Sequence, residues 1–476
     1  MSDITTSPDS SEVNARVPKR ILSGYPAYVF WVMFSINFLN YLDRNVLTGA
    51  ANVVAKELGF GFDGIGYIAS AFLIVYTLGT VPLGIWADRA KRRNVVAICV
   101  AVWSVATALT ALANSFITLF LSRMVLGIGE AGYFPAGTAL MSDYFRRSTR
   151  SRVMSWWSVG QLVGILVGFV VGGTVAGLFI GSWRLAFIFT GIPGLILAFL
   201  AWRVREPRRN QADEAVGPDS HSFGNATELE EPPHTLHITS SIFAQFRTLL
   251  SIKTLVVLIV MQIFAFFVLG VNVVFLPTYL QQKDTFGLTS GQAGLFSGAV
   301  IVFAGMAGTI LGGYLADVLN RRHPGARVLV CGIGFLLSAP SFAVAVTVHD
   351  LRIFSIFFIL TTLLILFYQG PSTAATQDVV PSILRASAVA LTLLIAHLLG
   401  DAFAPSLVGT LATVFDPTHG LHFKNSVGGQ DLSHALLITC TPALVIAGLV
   451  GIFGARWMKA DVDAAEQADR ALNNAG

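Results

Sequence analysis

The chain has 476 residues, of which 54% are hydrophobic and only 12% are charged, whereas soluble domains average about 25% charged residues. Apolar runs of about 20 residues recur along the chain, which excludes a soluble globular protein and predicts a polytopic α-helical membrane protein. The net charge of +4 does not indicate nucleic-acid binding, because the basic residues fall in short loops between these runs. Cys99, Cys331 and Cys440 lie within apolar runs, so we expect packing roles, with no disulfide and no metal site.

The apolar runs divide the chain into two similar parts. Residues 1–24 form a polar tail that we expect to be disordered, with no cleavable signal peptide, and residues 204–250 form a polar linker. Apolar residues at the end of the linker predict a short amphipathic helix at the membrane surface. Bundles of six helices are expected over 25–203 and 251–458, followed by a tail over 459–476. The twelve predicted spans are 25–48, 64–87, 94–114, 116–140, 152–178, 184–203, 254–280, 291–316, 326–347, 353–377, 386–412 and 434–458.

The basic residues predict the orientation of the chain. Of the 31 Lys and Arg residues, 24 fall in the tails and in the loops on the same side, and 5 fall in the loops on the other side. Because Lys and Arg are enriched in cytoplasmic loops, both termini are expected in the cytoplasm. We expect the protein in a cell membrane, and in a bacterial inner membrane in particular.

The fourth span carries two charged residues inside an apolar run. Arg123 and Glu130 are seven residues apart with Gly127 between them, so all three share one stripe of a helix. A charge at membrane depth costs at least about 2.5–3.5 kcal/mol and usually faces a partner or a water-filled cavity. The glycines at 127, 129 and 132 allow another helix to approach closely. The stretch indicates a charged binding site at the midplane, or else a structural Arg–Glu pair that joins two helices.

Other spans place polar side chains at similar depth. The first span contains Asn40, Tyr41, Asp43 and Arg44. Arg44 and Arg123 suit an anionic head group, because a guanidinium matches the fork geometry of carboxylate or phosphate. Asp43 and Glu130 can be neutralised by protons, which predicts proton coupling.

The eleventh span carries a polar pair of its own. His397 and Asp401, at positions i and i+4, face the same way, as a possible second-half site. Between the two interpretations of this pair, a structural contact within the helix is favoured over a proton relay.

The two halves repeat short patterns at the ends of corresponding spans. Gly84 to Asp88, followed by a pair of arginines, recurs 229 residues later, and Asp143 with Arg150 recurs 235 residues later. Duplicated halves with a midplane site are typical of alternating-access carriers. The expected cytoplasmic gate comprises Asp88, Arg92, Arg93, Asp143, Arg150, Asp317, Arg321, Asp378 and Arg385.

The Gly-x-x-x-Asp-Arg loop after the second span resembles the signature loop of the major facilitator superfamily. Several further stretches resemble the spinster-like branch of that superfamily, namely 40–44, 127–135, 142–145, 183–187, 191–194, 205–207 and 397–401. The resemblance implies two pseudo-symmetric six-helix bundles. It also implies a carrier of lysophospholipids or sphingoid phosphates, since animal members of the branch carry such lipids. The charged pairs of spans one and four also resemble those of proton-coupled organic-anion carriers.

We therefore expect secondary transport of an amphipathic anion by alternating access, coupled to protons, without cofactor or ATP. Substrate binding is assigned to Asn40, Tyr41, Arg44 and Arg123, and proton coupling to Asp43 and Glu130. The alternative within transport is a proton-coupled symporter of small organic acids. A lipid-binding sensor stays possible until flux is measured. An intramembrane enzyme is disfavoured, because no nucleophile–base set or metal-ligand spacing occurs in the spans. Expected partners are a lipid-like or organic-anion substrate, protons and membrane lipids, around a monomer.

Overall fold

The computed structural model describes residues 24–207, 242–418 and 420–475, and every regular element in these ranges is a helix. The predicted disordered tail and most of the 204–250 linker lie outside the described residues. The described end of the linker forms a helix at Ile242–Ser251, where the amphipathic helix was predicted. Its Leu249 is fully buried and Phe246 packs against the core of the second half, so this helix is docked on that half.

Six helices form the first half of the molecule. They are α1 (Gly24–Leu58), α2 (Phe62–Arg89), α3 (Arg92–Thr110), α4 in two segments (Phe116–Ala131 and Tyr133–Tyr144), α5 (Arg147–Ala176) and α6 (Trp183–Arg203). The two segments of α4 meet at Gly132.

Six further helices form the second half. They are α7 (Lys253–Leu280), α8 (Ser290–Ala299, π-helical Val300–Ala304 and Gly305–Asn320), α9 (Ala326–Thr347), α10 (Leu351–Ile365, 3-10 Leu366–Tyr368 and Gln369–Asp378), α11 (Arg385–Ala396, π-helical His397–Asp401 and Ala404–Phe415) and α12 (Gly429–Gly454). Short helices at Ser382–Leu384, Leu421–Lys424 and Ala455–Trp457, and a longer one at Met458–Ala475, complete the described chain.

The twelve-span, all-α architecture is confirmed. Eleven of these helices are long and apolar enough to cross a membrane by length and composition. The other is α1, which carries several polar residues, Asp43 and Arg44 among them. With 35 residues it extends about 52 Å, more than the thickness of a hydrocarbon core. The helix extends beyond the predicted span: α1 continues past residue 48 to Leu58, and most of its later residues are buried against neighbouring helices.

Matching ion pairs relate the two halves. We call the end of the molecule where α1 begins and α12 ends the tail face, and the other end the opposite face. On the tail face Arg92 pairs with Asp143 in the first half, and Arg327 pairs with Asp378 in the second. In both pairs the arginine precedes the aspartate by 51 residues. The predicted duplication of the halves is therefore visible in their ion pairs.

The predicted counterparts Arg150 and Arg385 also behave alike. Arg150 Nη2 donates to the Ser142 carbonyl at 2.7 Å, and Arg385 Nε donates to the Gln377 carbonyl at 3.0 Å. Each arginine thus binds the last turn of the span that precedes it, where free carbonyls and the negative end of the helix dipole favour a cation.

One predicted member of the repeat is corrected. Arg321, predicted to be the counterpart of Arg92, is exposed, and Arg327 takes its place. Arg327 also lies 3.4 Å from Asp317. The connection between α8 and α9 is longer than that between α2 and α3. Aligning the two glycine motifs residue by residue therefore places Arg321, and not Arg327, opposite Arg92.

Glu206, which is outside the predicted gate, caps the N-terminus of α3. The backbone nitrogens of Arg92 and Arg93 donate to the two carboxylate oxygens of Glu206, at 2.8 and 2.9 Å. A carboxylate at a helix N-terminus satisfies free N–H groups and complements the helix dipole. The segment after α6 is thus tied to the start of α3. Asp88, a member of the predicted gate, is also engaged in an interaction.

The two halves contact each other toward the opposite face. A Cβ at Gly66 of α2 would collide with the carbonyl of Pro405 in α11, and one at Gly409 with the carbonyl of Phe62, so only glycine permits this approach. Hydrogen bonds on the same side join Asn52 to Gln281 (3.2 Å), Tyr67 to Thr410 (3.1 Å) and Ser70 to Ser406 (3.1 Å). The molecule is closed here, whereas the tail-face ion pairs named above each stay within one half.

Candidate substrate-binding site

A cavity of about 320 Å³ lies between the halves. Its wall is mostly apolar, with side chains such as Phe60, Ile68, Phe72 and Leu73. The polar side chains among those that line it are Tyr41, Arg44, Asn45, Thr48, Arg123 and Asp401. The cavity therefore combines an apolar interior with a few charged groups, which is the composition of a small-molecule site.

Arg44 lines the cavity and is held by a buried carboxylate and aromatic rings. Its Nε donates to Oε2 of Glu130 in α4, whose side chain is fully buried. Its guanidinium carbon lies 4.4 Å from the ring centre of Tyr76 and about 5 Å from those of Tyr41 and Phe72. Cation–π contact stabilises a guanidinium that has left water. The structural pair between two helices is therefore Arg44 with Glu130, and it joins α1 to α4.

Arg123 lines the same cavity with fewer partners. It is 3% exposed and its guanidinium carbon lies 4.8 Å from the ring centre of Phe187. Neither Nε nor Nη2 has a hydrogen-bond acceptor within the described chain. It interacts electrostatically with Asp43 and Glu130. Because burying unsatisfied charged donors is costly, these nitrogens favour an anion in the cavity.

Asp43 and Glu130 lie behind the arginines and are not among the residues that line the cavity. Both are buried, and Thr107 donates to Asp43 at 3.4 Å. One oxygen of each carboxylate has no donor within the described residues. Adjacent residues of a helix point about 100° apart, which explains why Arg44 faces the cavity while Asp43 faces α3. Such carboxylates can exchange protons without contacting substrate.

Asn40, predicted to bind substrate, also lies away from the cavity wall. It is 3% exposed and is absent from the lining. Of the four predicted substrate residues, the cavity is lined by Tyr41, Arg44 and Arg123.

The glycines of α4 pack against neighbouring helices as expected. A Cβ at Gly127 would lie 2.9 Å from the Phe72 carbonyl oxygen of α2, and one at Gly129 would lie 2.6 Å from the Trp103 nitrogen of α3. Contacts this short exclude a side chain. The close packing of α2 and α3 on α4 holds Arg123 and Glu130 at fixed positions.

The second half contributes one ionisable residue, Asp401, to the cavity wall, and Asp401 is paired with His397. His397 Nδ1 lies 3.0 Å from Asp401, and the two span a π-helical turn of α11. Asp401 lines the cavity and packs on Gly270, where a Cβ would lie 2.7 Å from its own Cβ. The pairing was predicted, and the π-helical turn was not. Such turns are frequent at functional sites.

Sequence reasoning missed the aromatic partners of the arginines. Phe72 and Tyr76 belong to α2 and Phe187 to α6, so each contact joins helices that are distant along the chain. Phe72 and Tyr76 are at positions i and i+4, which places them on one face of α2. Nothing in the sequence indicated which charged residue that face would meet.

Residues 33–405 match the sequence model of the Major Facilitator Superfamily. The chain belongs to the major facilitator superfamily. It is therefore a membrane transporter and not an enzyme, as its sequence predicted.

Similar proteins agree with the predicted branch. The chain is 28% identical to Protein spinster of Drosophila melanogaster over 404 residues, covering 84% of this chain and 64% of that protein, so it spans less than two thirds of this relative's length. It is 24% identical to the Probable L-galactonate transporter of Escherichia coli over 430 residues, covering 90% of both. The crystal structure of a bacterial homolog of the human lysosomal transporter Spinster has a TM-score of 0.80 at 24% identity, covering 92% of this chain and 98% of that one. The spinster-like resemblance is confirmed, and the structural likeness supports the fold.

The Arg44–Glu130 pair generates a stability prediction. Arg44→Gln leaves Glu130 buried without its cation and should cost about 3–5 kcal/mol while that carboxylate stays charged. The double variant Arg44→Gln with Glu130→Gln should be more stable than Arg44→Gln alone, because no buried charge is left unpaired. Thermal unfolding in detergent, followed at one pH, ranks the three proteins.

The matched control is the Arg184–Glu57 pair at the opposite face, whose side chains are 30% and 23% exposed. Arg184→Gln should cost only about 0–1 kcal/mol. Equal losses from Arg44→Gln and Arg184→Gln would contradict a special role of burial at the central pair.

Proposed function

We propose that the protein transports an amphipathic anion by alternating access, with protons as the coupling ion. The single observation that carries this proposal is Arg123. It is buried at the wall of an apolar cavity and has two donor nitrogens without an acceptor in the described chain. An anionic head group would satisfy these donors, and an apolar tail would contact the remaining wall. Substrate class, protons and a monomeric state are all part of this proposal.

A lysophospholipid or sphingoid phosphate is the substrate class that we favour. The apolar lining supports it, since most of the residues around the cavity offer only carbon surface. The relation to spinster proteins agrees with the residue-level resemblance. The cavity of about 320 Å³ is at the small end of the usual range of ligand pockets, about 300–1,000 Å³, so part of a long tail would extend beyond it.

A small organic acid is the second candidate. The relative from Escherichia coli is named as a probable transporter of L-galactonate, a small organic anion, and matches nine tenths of both chains. The volume of the cavity also suits a small ligand. Both candidates place a carboxylate or phosphate at Arg123, so the length of the apolar tail distinguishes them.

Orientation is the next element of the proposal. The excess of Lys and Arg on the tail face supports a cytoplasmic location for both termini in a cell membrane, and a bacterial inner membrane in particular. A cysteine replacing exposed Ala460 should react with an impermeant thiol reagent only after the membrane is opened. A cysteine at Asn114, exposed on the opposite face, should react in intact cells. The native cysteines are buried, which keeps the background low. The reverse labelling pattern would invert the orientation.

The substrate class predicts how affinity depends on tail length. In a ligand series with one phosphate head and increasing acyl tails, each buried methylene should tighten binding by up to about 0.8 kcal/mol. Arg123→Ala should weaken binding of the whole series by about 2–5 kcal/mol, and Arg123→Lys should restore only part, since it keeps the charge and loses the fork. Binding measured at constant detergent tests this. Exposed Arg352→Ala is the matched control and should bind normally. Affinity that does not vary with tail length would favour the small-acid alternative.

Proton coupling predicts a separate effect of the buried carboxylates. Asp43→Asn and Glu130→Gln imitate the protonated forms, so each should lose accumulation driven by a pH gradient and keep substrate exchange. The measurement is uptake into proteoliposomes of the tightest-binding ligand of the series, with and without the gradient. Glu466→Gln, whose carboxylate is 60% exposed, is the control and should retain driven uptake. Normal gradient dependence in both buried variants would exclude these carboxylates as coupling groups.

A further inference from the structure

The loop between α11 and α12 belongs to the second half and contacts the first half at the opposite face. We call residues 416–431, which include the short helix Leu421–Lys424 and the first residues of α12, the outer loop; the structure describes it apart from residue 419. The ring of Phe423 packs edge-on against Phe62 of α2 at 4.7 Å between centres. Lys56 of α1 donates to the Ser426 hydroxyl. The outer loop, although part of the second half, therefore contacts two helices of the first half.

The same loop is anchored to its own half by backbone hydrogen bonds. The Lys283 nitrogen donates to the Ser426 carbonyl at 2.6 Å, and the Gly428 nitrogen donates to the Gln282 side chain at 3.3 Å. Asp284 accepts from the Gly429 nitrogen at 3.0 Å and from the Gln430 nitrogen. Gln282 is also 3.4 Å from Asn52 of α1. The outer loop thus lies within the network that closes the opposite face.

A histidine lies at the centre of the outer loop, next to Phe423. His422 Nδ1 is 2.8 Å from an oxygen of Asp431 and 3.4 Å from an oxygen of Asp416. Asp416 also accepts from the Thr418 nitrogen at 2.8 Å and from the Gly420 nitrogen at 2.8 Å. The imidazole of His422 therefore links Asp416 at the start of the loop to Asp431 at its end. The next residue along the chain is Phe423, whose ring contacts α2.

The charged groups around His422 favour its protonated form. The hydrogen bond to Asp431, and the nearby carboxylates of Asp416 and Asp284, raise the pKa of His422 above the usual value of 6.5. Lys56, Lys283 and Lys424 also lie on this face, and none of them is among the groups that shift the pKa of His422. The three carboxylates are the groups that interact with the imidazole strongly enough to set the direction.

The geometry fits a proton better than a metal ion. The ligand atoms of Asp416, His422 and Asp431 lie within 4.8 Å of one another, which is close enough for a metal site. However, the 2.8 Å separation of His422 Nδ1 and Asp431 is an ordinary hydrogen bond, and both oxygens of Asp416 already accept from the loop. A shared proton needs no rearrangement of these contacts.

We propose that His422 is a proton-responsive latch for the contact between the halves at the opposite face. Protonated His422 holds Asp416 and Asp431 together, which keeps Phe423 against Phe62. When His422 loses its proton, the loop is held less firmly and the halves separate more easily on this side. Phe62, His422 and Phe423 are not among the residues that line the cavity. The latch depends on the proposed function only in requiring that the two halves move apart.

The direction of the pH dependence follows from linkage. The carboxylates raise the pKa of His422 in the closed state, and the latch requires that opening loosens the loop and so weakens these contacts. The open-state pKa then lies nearer the usual 6.5, and the extra stability of the closed state is fully present below about 6.5. It is lost as the pH rises through the raised value. Each unit of difference between the closed-state and open-state pKa changes the closed-to-open ratio by at most about tenfold.

The test measures the separation of the halves directly, without substrate. Spin labels on cysteines replacing Asn114 and His349, which are exposed in loops of the two halves on the opposite face, report the distance across it. The distance distribution in detergent is recorded from about pH 5.5 to about pH 8.5, the range in which histidine titrates. We expect the short-distance population to fall as the pH rises.

Two variants separate the latch from other causes. His422→Gln should abolish the pH dependence, and Asp431→Asn should move its midpoint to lower pH. His434→Gln is the matched control, because its ring packs on Phe415 of the same face, and it should keep the wild-type response.

Either of two outcomes would overturn the proposal. One is an unchanged pH response in correctly folded His422→Gln and Asp431→Asn proteins. The other is a response that requires added zinc at constant pH and disappears in His422→Gln, which would identify a metal site. If the wild-type protein does not transport the proposed substrates but its distance distribution still responds to pH, the proposed function is contradicted and the latch is not.

Discussion

The main constraint on this fold is that each charged group buried at membrane depth needs a partner that offsets the loss of water. Arg44 meets this need with Glu130 and with the faces of three aromatic rings. Arg123 has Phe187 beside it and electrostatic attraction from the carboxylates, but two of its nitrogens lack an acceptor in the described chain. An ion pair at this depth needs further contacts to offset its desolvation, and the aromatic rings supply them for Arg44, although Oε1 of Glu130 has no donor in the described chain. The satisfied arginine therefore supports the first half, and the unsatisfied one marks the cavity.

The polar contacts between the halves are of a different kind from those within them. Glycines bring backbones together both within and between the halves, whereas ion pairs such as Arg92–Asp143 join successive spans of one half. Between the halves, the described polar contacts on the opposite face are mostly amide and hydroxyl hydrogen bonds, such as Asn52 with Gln281. Neutral hydrogen bonds contribute only about 0.5–1.5 kcal/mol net each, so a few of them can be exchanged when the halves separate. A small change in the charge of one loop can then shift the balance.

The sequence was sufficient for the number of spans, for the duplicated halves and for the charged residues at the midplane, because each leaves a local signal. Long apolar runs predict spans, and Arg123 and Glu130 stand out within one of them. The sequence was not sufficient to predict which charged residues pair with each other. Glu130 bonds with Arg44, which is 86 residues away, because the choice depends on how α1 packs on α4. The continuation of α1 to Leu58 and the role of Arg327 were missed for the same reason, since both depend on partners from other helices.

The proposed binding of an anion at Arg123 would not be independent of the protonation of the carboxylates behind it. Arg123 lines the cavity and interacts electrostatically with both Asp43 and Glu130. An anion beside Arg123 would compete with these carboxylates for the same positive charge, and protonation of a carboxylate would remove that competition. Linkage requires the effect to be reciprocal: whatever free energy the proton adds to anion binding, the anion adds to proton binding. A buried, poorly screened cluster strengthens this coupling, because each added charge acts through a low dielectric. Cooperative uptake of an anion with a proton therefore needs no contact between the two, only the arginine that lies between them.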